Sequence, residues 1–437
     1  MRLHNRNQVL YNKLLFGMFF IICFTFVVKY TTKKYYRCSR TFTKERGMDE
    51  RLFTEVEIND KLARYGEARN ADSGILHHNA EGNQKIEKTG LKNEGNKLKN
   101  DKFSKSFKID AKNLQNVTEI PDDLKPVLSK LLRRSFETES TIPCEYGYFR
   151  MDGMEKCQPW LDCEEIKDKN ILKEGNVLGG GIGKIAHSGL LYGKYVLAIV
   201  KNRNLPKQTD RVMKGNRNLL MLQPSPYALQ VIGYCEEPPN STILTESCEK
   251  CMDLAKLHRR NNHSYRGFSD RQRFEWATKI VGAFDYLHHG LGLPRVHCDL
   301  HTRTEAMTQF IVTKDLSVFM SDVDELPQVD KENGVFPTCK EELNGIMKKP
   351  YFIAPEQRYT LEEYKKYKSR KPVDEKSDIW KIPDITRKLI ERSKMEKFLM
   401  KKLEIIHQKC KNLDPKLRPT ARDVFIEYLK VLKEFQT

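Results

Sequence analysis

The sequence predicts an α+β protein with two lobes, preceded by an N-terminal membrane anchor and a polar stem. Three features predict this arrangement. A glycine-rich turn joins strand-like segments over residues 177–201, which is typical of a small lobe built on a sheet. Residues 274–288 are apolar and helix-like and lead to a polar loop containing Asp299, which is typical of a larger helical lobe. Near the N-terminus, residues 14–28 are apolar throughout.

Short motifs follow one another along the C-terminal half in the order used by protein kinases. Asp299 stands where kinases place the catalytic carboxylate, and Asp322 stands where they place a metal-binding carboxylate. Glu356 and Arg418 are expected to form a buried ion pair, and Asp378 is expected to brace the catalytic loop. The motifs are His297-Cys298-Asp299, Asp322-Val323-Asp324, Ala354-Pro355-Glu356, Ser377-Asp378-Ile379-Trp380 and Leu417-Arg418-Pro419. Their order predicts a two-lobed, protein-kinase-like fold.

The same stretch departs from the kinase pattern at several positions. Cys298 replaces the usual Arg, and Thr304 stands where the loop Asn belongs. Gln309 begins a short apolar segment and carries the same carbonyl oxygen as Asn, so it is predicted to share a divalent metal with Asp322. Asp324 stands in the Gly position of Asp-Phe-Gly. It is either a second carboxylate near the metal or a solvated loop charge, and the sequence leaves both open.

The glycine-rich turn predicts a hairpin that covers nucleotide phosphates. A P-loop would need Gly at position 178 and Ser or Thr after Lys184, and neither is present. Gly179 and Gly181 instead occupy the first two glycine positions of the kinase loop, where the backbone approaches phosphate oxygens closely. A later strand-like segment ends at Glu246 and Ser247, whose backbone groups are expected to contact adenine. ATP is therefore the predicted nucleotide.

Lys184 is predicted to be the lysine that contacts the phosphates. Kinases place this lysine on the third strand, and the equivalent position here is Val200. Lys201 comes one residue later, which turns its side chain to the opposite face of the strand. A solvent-exposed Lys184 is the alternative. The following helix carries Gly215 where the Glu partner of the lysine belongs, so the usual ion pair is absent or rebuilt.

Composition limits the choice of partners. The chain has 437 residues and a net charge of +18, with 31% charged and 39% hydrophobic residues. A basic balance is compatible with nucleic acid, a membrane surface or an acidic ligand. The lysines are spread through helix-like and linker segments, without one aromatic-interleaved basic patch. We therefore predict no nucleic-acid partner.

The apolar run near the N-terminus predicts a single-pass signal anchor. It is short for a membrane span, but flanking lysines extend its reach, and no small-residue cleavage site follows it. The polar residues after it, with few periodic apolar positions, are typical of a partly disordered stem. The predicted organisation is a cytoplasmic tail at 1–13, the anchor at 14–30, the stem at 31–140 and a kinase-like domain at 141–437. The kinase-like domain is predicted to divide into a cysteine-containing flap at 141–170, an N-lobe at 171–247 and a C-lobe at 248–437.

Two observations disagree on the orientation of this anchor. More basic residues follow the apolar run than precede it, which favours a cytoplasmic C-terminal part. Asn116, Asn240 and Asn262 each begin a glycosylation sequon, which is used only in the lumen. Together with the cysteines described next, the sequons favour a type II protein of the endoplasmic reticulum or Golgi membrane, with its catalytic domain in the lumen.

Cys144, Cys157 and Cys163 lie in a short aromatic segment with Gly and Pro between them. This pattern predicts a small flap held by disulfide bonds in an oxidising compartment, with buried free thiols as the alternative. Because the number is odd, one of these cysteines must pair elsewhere, and Cys235 is a candidate. The sequence leaves the connectivity open.

The C-terminal part of the chain resembles the protein O-mannose kinase family. The resemblance rests on CEYGYFR…CQPWLDCEE at 144–165, the glycine loop ending at Lys184, SDVDELP at 321–327, FIAPEQ at 352–357 and DEKSDIWKIPDI at 374–385. The cysteine flap and the WKIPDI run are the most specific of these. The resemblance implies a lumenal, membrane-anchored sugar kinase that uses ATP with Mg²⁺ or Mn²⁺. It implies phosphorylation of the 6-hydroxyl of mannose within an O-mannosyl trisaccharide on a dystroglycan-type glycoprotein.

Two other functions stay open from the sequence. Loss of the third-strand lysine, its Glu partner and the loop Asn is typical of a pseudokinase, here a lumenal scaffold that binds glycan or protein. Retention of Asp299 and Asp322 argues against a pure scaffold, which needs neither. The third interpretation is an active secretory-pathway protein kinase acting on Ser, Thr or Tyr.

Overall fold

The computed structural model describes residues 118–133, 144–205, 208–246, 252–255, 268–313, 315–339, 351–358 and 371–435. The predicted tail and anchor, most of the predicted stem, and Asn116, Ser247 and Asn262 lie outside these residues. All described residues belong to one unit of the chain, Gly95–Thr437. Among them, no helix combines the length and the apolar character that a membrane span requires.

A helix within the predicted stem packs against the folded domain, which corrects the predicted domain boundary. Helix α1 (Lys125–Leu132) follows a short 3₁₀ turn. Leu124 and Val127, which lie on one side of this segment at helical spacing, are buried in the main hydrophobic core. The folded domain therefore includes residues 118–133, whereas the sequence assigned all of 31–140 to the stem. The helix is only eight residues long and lies in a long polar segment, so the composition of residues 31–140 does not reveal it.

A disulfide-bonded flap follows, and it confirms the predicted use of cysteine. Disulfide bonds join Cys144 to Cys157 and Cys163 to Cys235, so Cys235 is the distant partner of the odd cysteine. Phe149, a residue of the flap itself, is fully buried. The elements of the flap are β1 (Tyr148–Phe149), β2 (Gln158–Pro159) and helix α2 (Cys163–Lys167).

An antiparallel sheet of five strands comes next. Its strands are β3 (Leu172–Gly180), β4 (Lys184–Leu191), β5 (Tyr195–Asn202), β6 (Val231–Glu237) and β7 (Asn240–Glu246), and helix α3 (Thr209–Met221) follows β5. The spatial order is β3-β4-β5-β7-β6. Leu197, Ile199 and Leu244 pack with the flap, whereas Ile243 joins the main core. Because successive strand residues point to opposite faces, both faces of the sheet are covered.

The C-terminal part is helical and surrounds one long buried helix, α4 (Asp270–His289). Ser269 caps this helix by accepting a hydrogen bond from the N–H of Gln272 at 3.1 Å. The other elements are β8 (Met252–Asp253), α5 (Arg303–Thr308), β9 (Phe310–Val312), β10 (Val318–Met320), α6 (Lys376–Ile390), α7 (Glu396–Lys402), α8 (Glu404–Cys410) and α9 (Ala421–Glu434). Helices and a five-stranded sheet together form a mixed α and β arrangement that is consistent with a kinase-like fold.

Buried charges hold this helical part together. Arg418 donates to both carboxylate oxygens of Glu356, at 2.6 and 2.8 Å. Asp378, near the start of α6, is fully buried and accepts a hydrogen bond from the N–H of His297 at 2.9 Å. The second contact ties the backbone just before Asp299 to the helical core.

Candidate active site

Charged side chains from separate parts of the chain meet at one site. Lys184 comes from β4 and Arg211 from α3. Asp299 comes from the loop after α4, and Asp322 and Asp324 come from the segment after β10. The two cations contact the three carboxylates directly. The sheet and α3 therefore contribute the cations of this site, and the C-terminal helical part contributes its carboxylates.

Lys184 lies between two aspartates. Its Nζ is 3.1 Å from Oδ1 of Asp322, and it also contacts Asp324. Only 20% of the Lys184 side chain is exposed, so the alternative of a solvated lysine does not hold.

Lys201 lies on the opposite face of the sheet. In the register of β4 against β5, Lys184 is opposite Asn202, and Ile185 is opposite Lys201. Lys201 forms an ion pair with Glu174 on β3. Since consecutive residues of a strand alternate between faces, Lys201 is turned away from the aspartates that Lys184 contacts.

Asp324 replaces the usual Glu as an ion-pair partner of Lys184. A Cβ placed on Gly215 of α3 would lie 1.8 Å from Oδ1 of Asp324, so only glycine leaves room for this carboxylate. The Asp324 side chain is 8% exposed. The alternative of a solvated loop charge is therefore wrong, and Asp324 reaches Lys184 through the space that Gly215 leaves.

For Lys184 and Asp322, burial and the neighbouring opposite charge shift the pKa in opposite directions. Burial lowers the pKa of Lys184, but the charges of Asp322 and Asp324 outweigh it and raise the pKa overall. Burial raises the pKa of Asp322, but the nearby Lys184 charge lowers it overall. For Asp324, burial and the charge of Asp322 together raise the pKa. At neutral pH, Lys184 is a cation and Asp322 an anion.

The glycines of the hairpin between β3 and β4 serve different purposes. Gly179 lies at a register shift between the two strands. A Cβ on Gly181 would meet no atom of the described residues within 4 Å, so this position faces open space. A Cβ on Gly180 would lie 2.6 Å from a carbonyl oxygen of β4, and one on Gly183 would lie 2.9 Å from Val212 of α3. Packing therefore requires glycine at two positions that the kinase pattern does not single out.

Gln309 offers an oxygen that fits a metal ligand. Its Nε2 donates to the carbonyl oxygen of Glu305 at 3.3 Å, whereas its buried Oε1 has no hydrogen-bond partner among the described residues. Its backbone carbonyl accepts a hydrogen bond from the N–H of Ser321 at 2.9 Å, which holds it beside the segment carrying Asp322. Carboxylate and carbonyl oxygens are the ligands that Mg²⁺ and Mn²⁺ prefer. These residues therefore fit the predicted metal.

The predicted contact with adenine is wrong for the backbone N–H of Glu246. The N–H of Glu246 donates to the carbonyl oxygen of Gln230 at 2.9 Å, and its carboxylate accepts from the N–H of Gln230 at 2.7 Å. The strand continues through Glu246, so its amide belongs to the sheet and is not offered to adenine. Ser247, the other predicted residue, lies outside the described part.

A disulfide bond beside the predicted catalytic carboxylate, Asp299, is a feature that sequence reasoning missed. Cys298 is joined to Cys339, and the pair packs against Val296, Val329 and Val373. The sequence identifies Cys298 only as a replacement for Arg, because a partner 41 residues away leaves no local pattern. The bond links the catalytic loop to the chain that follows Asp324.

Arg211 is the second missed feature. It donates a hydrogen bond to Asp299, and no motif identifies it because the only kinase feature expected on helix α3 is the Glu partner of the lysine. Lys184 pairs with two carboxylates, and a third carboxylate, Asp299, and a glycine hairpin lie beside it. This arrangement is typical of one class of protein. That class is the phosphotransferases of kinase type.

Comparison with known proteins narrows the class to one family. No family model matches the chain. Proteins named protein O-mannose kinase from Homo sapiens and Xenopus laevis are each 33% identical to it, over 303 and 295 residues, and one from Gallus gallus is 31% identical over 297 residues. Each match covers 66% of this chain and 80% of the relative. The chain belongs to the protein O-mannose kinase family.

Proposed function

We propose that this chain transfers the γ-phosphoryl group of ATP to the 6-hydroxyl of an O-linked mannose on a dystroglycan-like glycoprotein. The observation that carries the proposal is the contact of Lys184 with Asp322 and Asp324, beside Asp299, in a member of this family. The name of the relatives supports mannose as the acceptor. The sheet followed by helices supports a two-lobed kinase-like fold with the site between the lobes.

In this proposal Asp299 orients the acceptor hydroxyl and takes its proton. The hydroxyl oxygen forms a bond to the γ-phosphorus while the bond from that phosphorus to the β,γ-bridging oxygen breaks, and ADP leaves with the electron pair. Lys184 neutralises charge on the phosphates, and Asp324 keeps the lysine in position. Most of the acceleration then comes from positioning and electrostatics.

Asp322 and Gln309 would hold Mg²⁺ or Mn²⁺. When bound, the ion supplies positive charge against the phosphate oxygens. The low pKa of Asp322, which Lys184 maintains against the effect of burial, keeps the carboxylate ready to bind without losing a proton.

We place this activity in the lumen of the endoplasmic reticulum or Golgi, in a single-pass type II membrane protein. The disulfide bonds Cys144–Cys157, Cys163–Cys235 and Cys298–Cys339 support an oxidising compartment. Asn240 is exposed at the start of β7, as a glycan acceptor must be. Endoglycosidase treatment of protein from secretory cells should increase its gel mobility. An unchanged mobility, with the C-terminal part open to protease from the cytosol, would contradict this location.

The acceptor is tested by offering matched substrates to the full chain. Detergent-solubilised protein is incubated with γ-labelled ATP and Mg²⁺, together with an O-mannosyl glycopeptide or with the same peptide lacking glycan. We expect label on the 6-position of mannose and none on the bare peptide. Label on Ser, Thr or Tyr would instead indicate a protein kinase. Glycan binding without transfer would indicate a pseudokinase scaffold.

A further inference from the structure

Arg211 projects from the first turn of α3 into the candidate active site. Its Nη2 donates a hydrogen bond to Oδ2 of Asp299, the carboxylate proposed to accept the hydroxyl proton. Its Nε lies 3.6 Å from Asp324 and 3.9 Å from Glu325, beyond hydrogen-bonding distance. The side chain therefore lies across the carboxylate that must meet the acceptor.

The guanidinium of Arg211 has donors to spare. A guanidinium carries five N–H groups, and among the described residues this one makes a single hydrogen bond, with its buried Nε unpartnered. About 40% of the side chain is exposed. The planar arrangement of donors matches the oxygens of a phosphoryl group in a bidentate manner. A single contact to one carboxylate oxygen leaves that capacity unused.

The backbone of this turn is held against the glycine hairpin. Val212, the next residue, packs so closely on Gly183 that a Cβ there would lie 2.9 Å from its Cγ2. Arg211 therefore lies between the hairpin expected to cover the phosphates and the carboxylate expected to hold the acceptor. In the proposed transfer, the phosphoryl group would pass through this region.

We infer that Arg211 is a further catalytic residue, which exchanges Asp299 for oxygens of the phosphoryl group during transfer. The inference rests on the proposed function. As the acceptor oxygen bonds to the γ-phosphorus and the bond to the bridging oxygen breaks, negative charge lies on the three equatorial oxygens. The guanidinium stabilises that charge. Its departure also frees Oδ2 of Asp299 to take the hydroxyl proton.

The test compares Arg211→Ala with Lys214→Ala in the full chain. Lys214 is one turn further along α3 and pairs with Glu325 at 3.3 Å, so its removal makes the same change of charge away from Asp299. Turnover is measured beside the affinities for Mg-ADP alone and for Mg-ADP with fluoroaluminate, which mimics the phosphoryl group in transit. For Arg211→Ala we expect turnover and fluoroaluminate affinity each to fall on the order of a hundredfold, with Mg-ADP affinity unchanged. Lys214→Ala should match the wild type in all three.

Two results would overturn the inference. If Arg211→Ala turned over as fast as the wild type or faster, Arg211 would only block Asp299. If Arg211→Ala bound Mg-ADP with fluoroaluminate as tightly as the wild type does, a contact of Arg211 with the phosphoryl group would be excluded. The fluoroaluminate comparison needs no acceptor, so it is read even if no mannosyl glycan is phosphorylated. Absence of transfer counts against the proposed acceptor alone.

Discussion

Two arginines of this protein use their charge in opposite ways. Arg418 has no exposed side-chain surface, and it donates to both oxygens of Glu356 and to the backbone carbonyls of Lys376 and Asn412. Arg211 is 40% exposed and, among the described residues, makes one hydrogen bond, to Asp299. A guanidinium that uses four of its five N–H donors within the protein, as Arg418 does, holds a fold together. One whose donors are mostly unused can bind a ligand.

The carboxylates repeat this contrast. Asp378 is completely buried and accepts a hydrogen bond from the backbone that precedes Asp299. Asp322 is 43% exposed and pairs with Lys184. Burying a charge costs free energy unless partners compensate it fully, so the buried set must be complete, whereas the exposed set can exchange partners. Substitutions in the two regions should therefore separate stability from activity.

The largest effect is expected from Asp299→Asn. The amide keeps the size of the side chain but cannot take the hydroxyl proton, so turnover should fall on the order of a thousandfold. Nucleotide affinity and the melting temperature should stay close to those of the wild type. A variant with full turnover would show that Asp299 is not the base, and one that unfolds would place it with the structural charges.

Replacing Arg418 and Arg211 each with Met compares their contributions to the stability of the fold. Arg418→Met leaves Glu356 without its partner in a largely buried position and should lower the free energy of unfolding by about 3–5 kcal/mol. Arg211→Met removes a half-exposed side chain and should cost less than about 1 kcal/mol. Urea unfolding of both variants measures this difference. Equal losses would mean that Arg211 is also a structural residue.

The lysines on the two faces of the sheet provide the next comparison. Lys184→Met should reduce turnover on the order of a hundredfold, because the phosphates lose their cation. Lys201→Met breaks only its ion pair with Glu174 on the far face and should be mild. The turnover of the two variants is compared by steady-state kinetics with saturating acceptor. The reverse ranking would restore the third-strand lysine of ordinary kinases.

The smallest effect concerns pH and the helical part alone. Burial lowers the pKa of His407 to about 4, and this histidine contacts the hydroxyl of Tyr428 at 2.8 Å. Because the unfolded chain binds a proton more readily than the folded one, stability should fall by about 2 kcal/mol from pH 7 to pH 5. His407→Gln should remove most of this pH dependence. An unchanged slope in that variant would assign it to other groups.

Some of this arrangement could be predicted from the sequence because it follows from local rules. The alternation of side chains along β5 is enough to turn Lys201 away from the site. The odd cysteine of the flap required a distant partner, and Cys235 provides it. The order of the kinase motifs led to Glu356 and Arg418, which do form an ion pair.

The rest depends on contacts between distant parts of the chain. Gly215 and Asp324 each departed from the kinase pattern, but only their contact explains both departures. Arg211 belongs to no motif, and its contact with Asp299 joins residues 88 positions apart. The helix at 125–132 has apolar residues at helical spacing, namely Val127, Leu128, Leu131 and Leu132, but the polar composition of the long segment 31–140 conceals so short an element.

The most direct test of the account is whether this site binds a nucleotide through a metal. Nucleotide affinity is measured by calorimetry with and without Mg²⁺, for the wild type and for Asp322→Asn. Mg²⁺ should strengthen binding to the wild type on the order of tenfold or more, because Asp322 supplies an anionic oxygen to the ion. In Asp322→Asn this gain should disappear, with the melting temperature unchanged. Nucleotide binding that ignores both Mg²⁺ and the substitution would contradict the account.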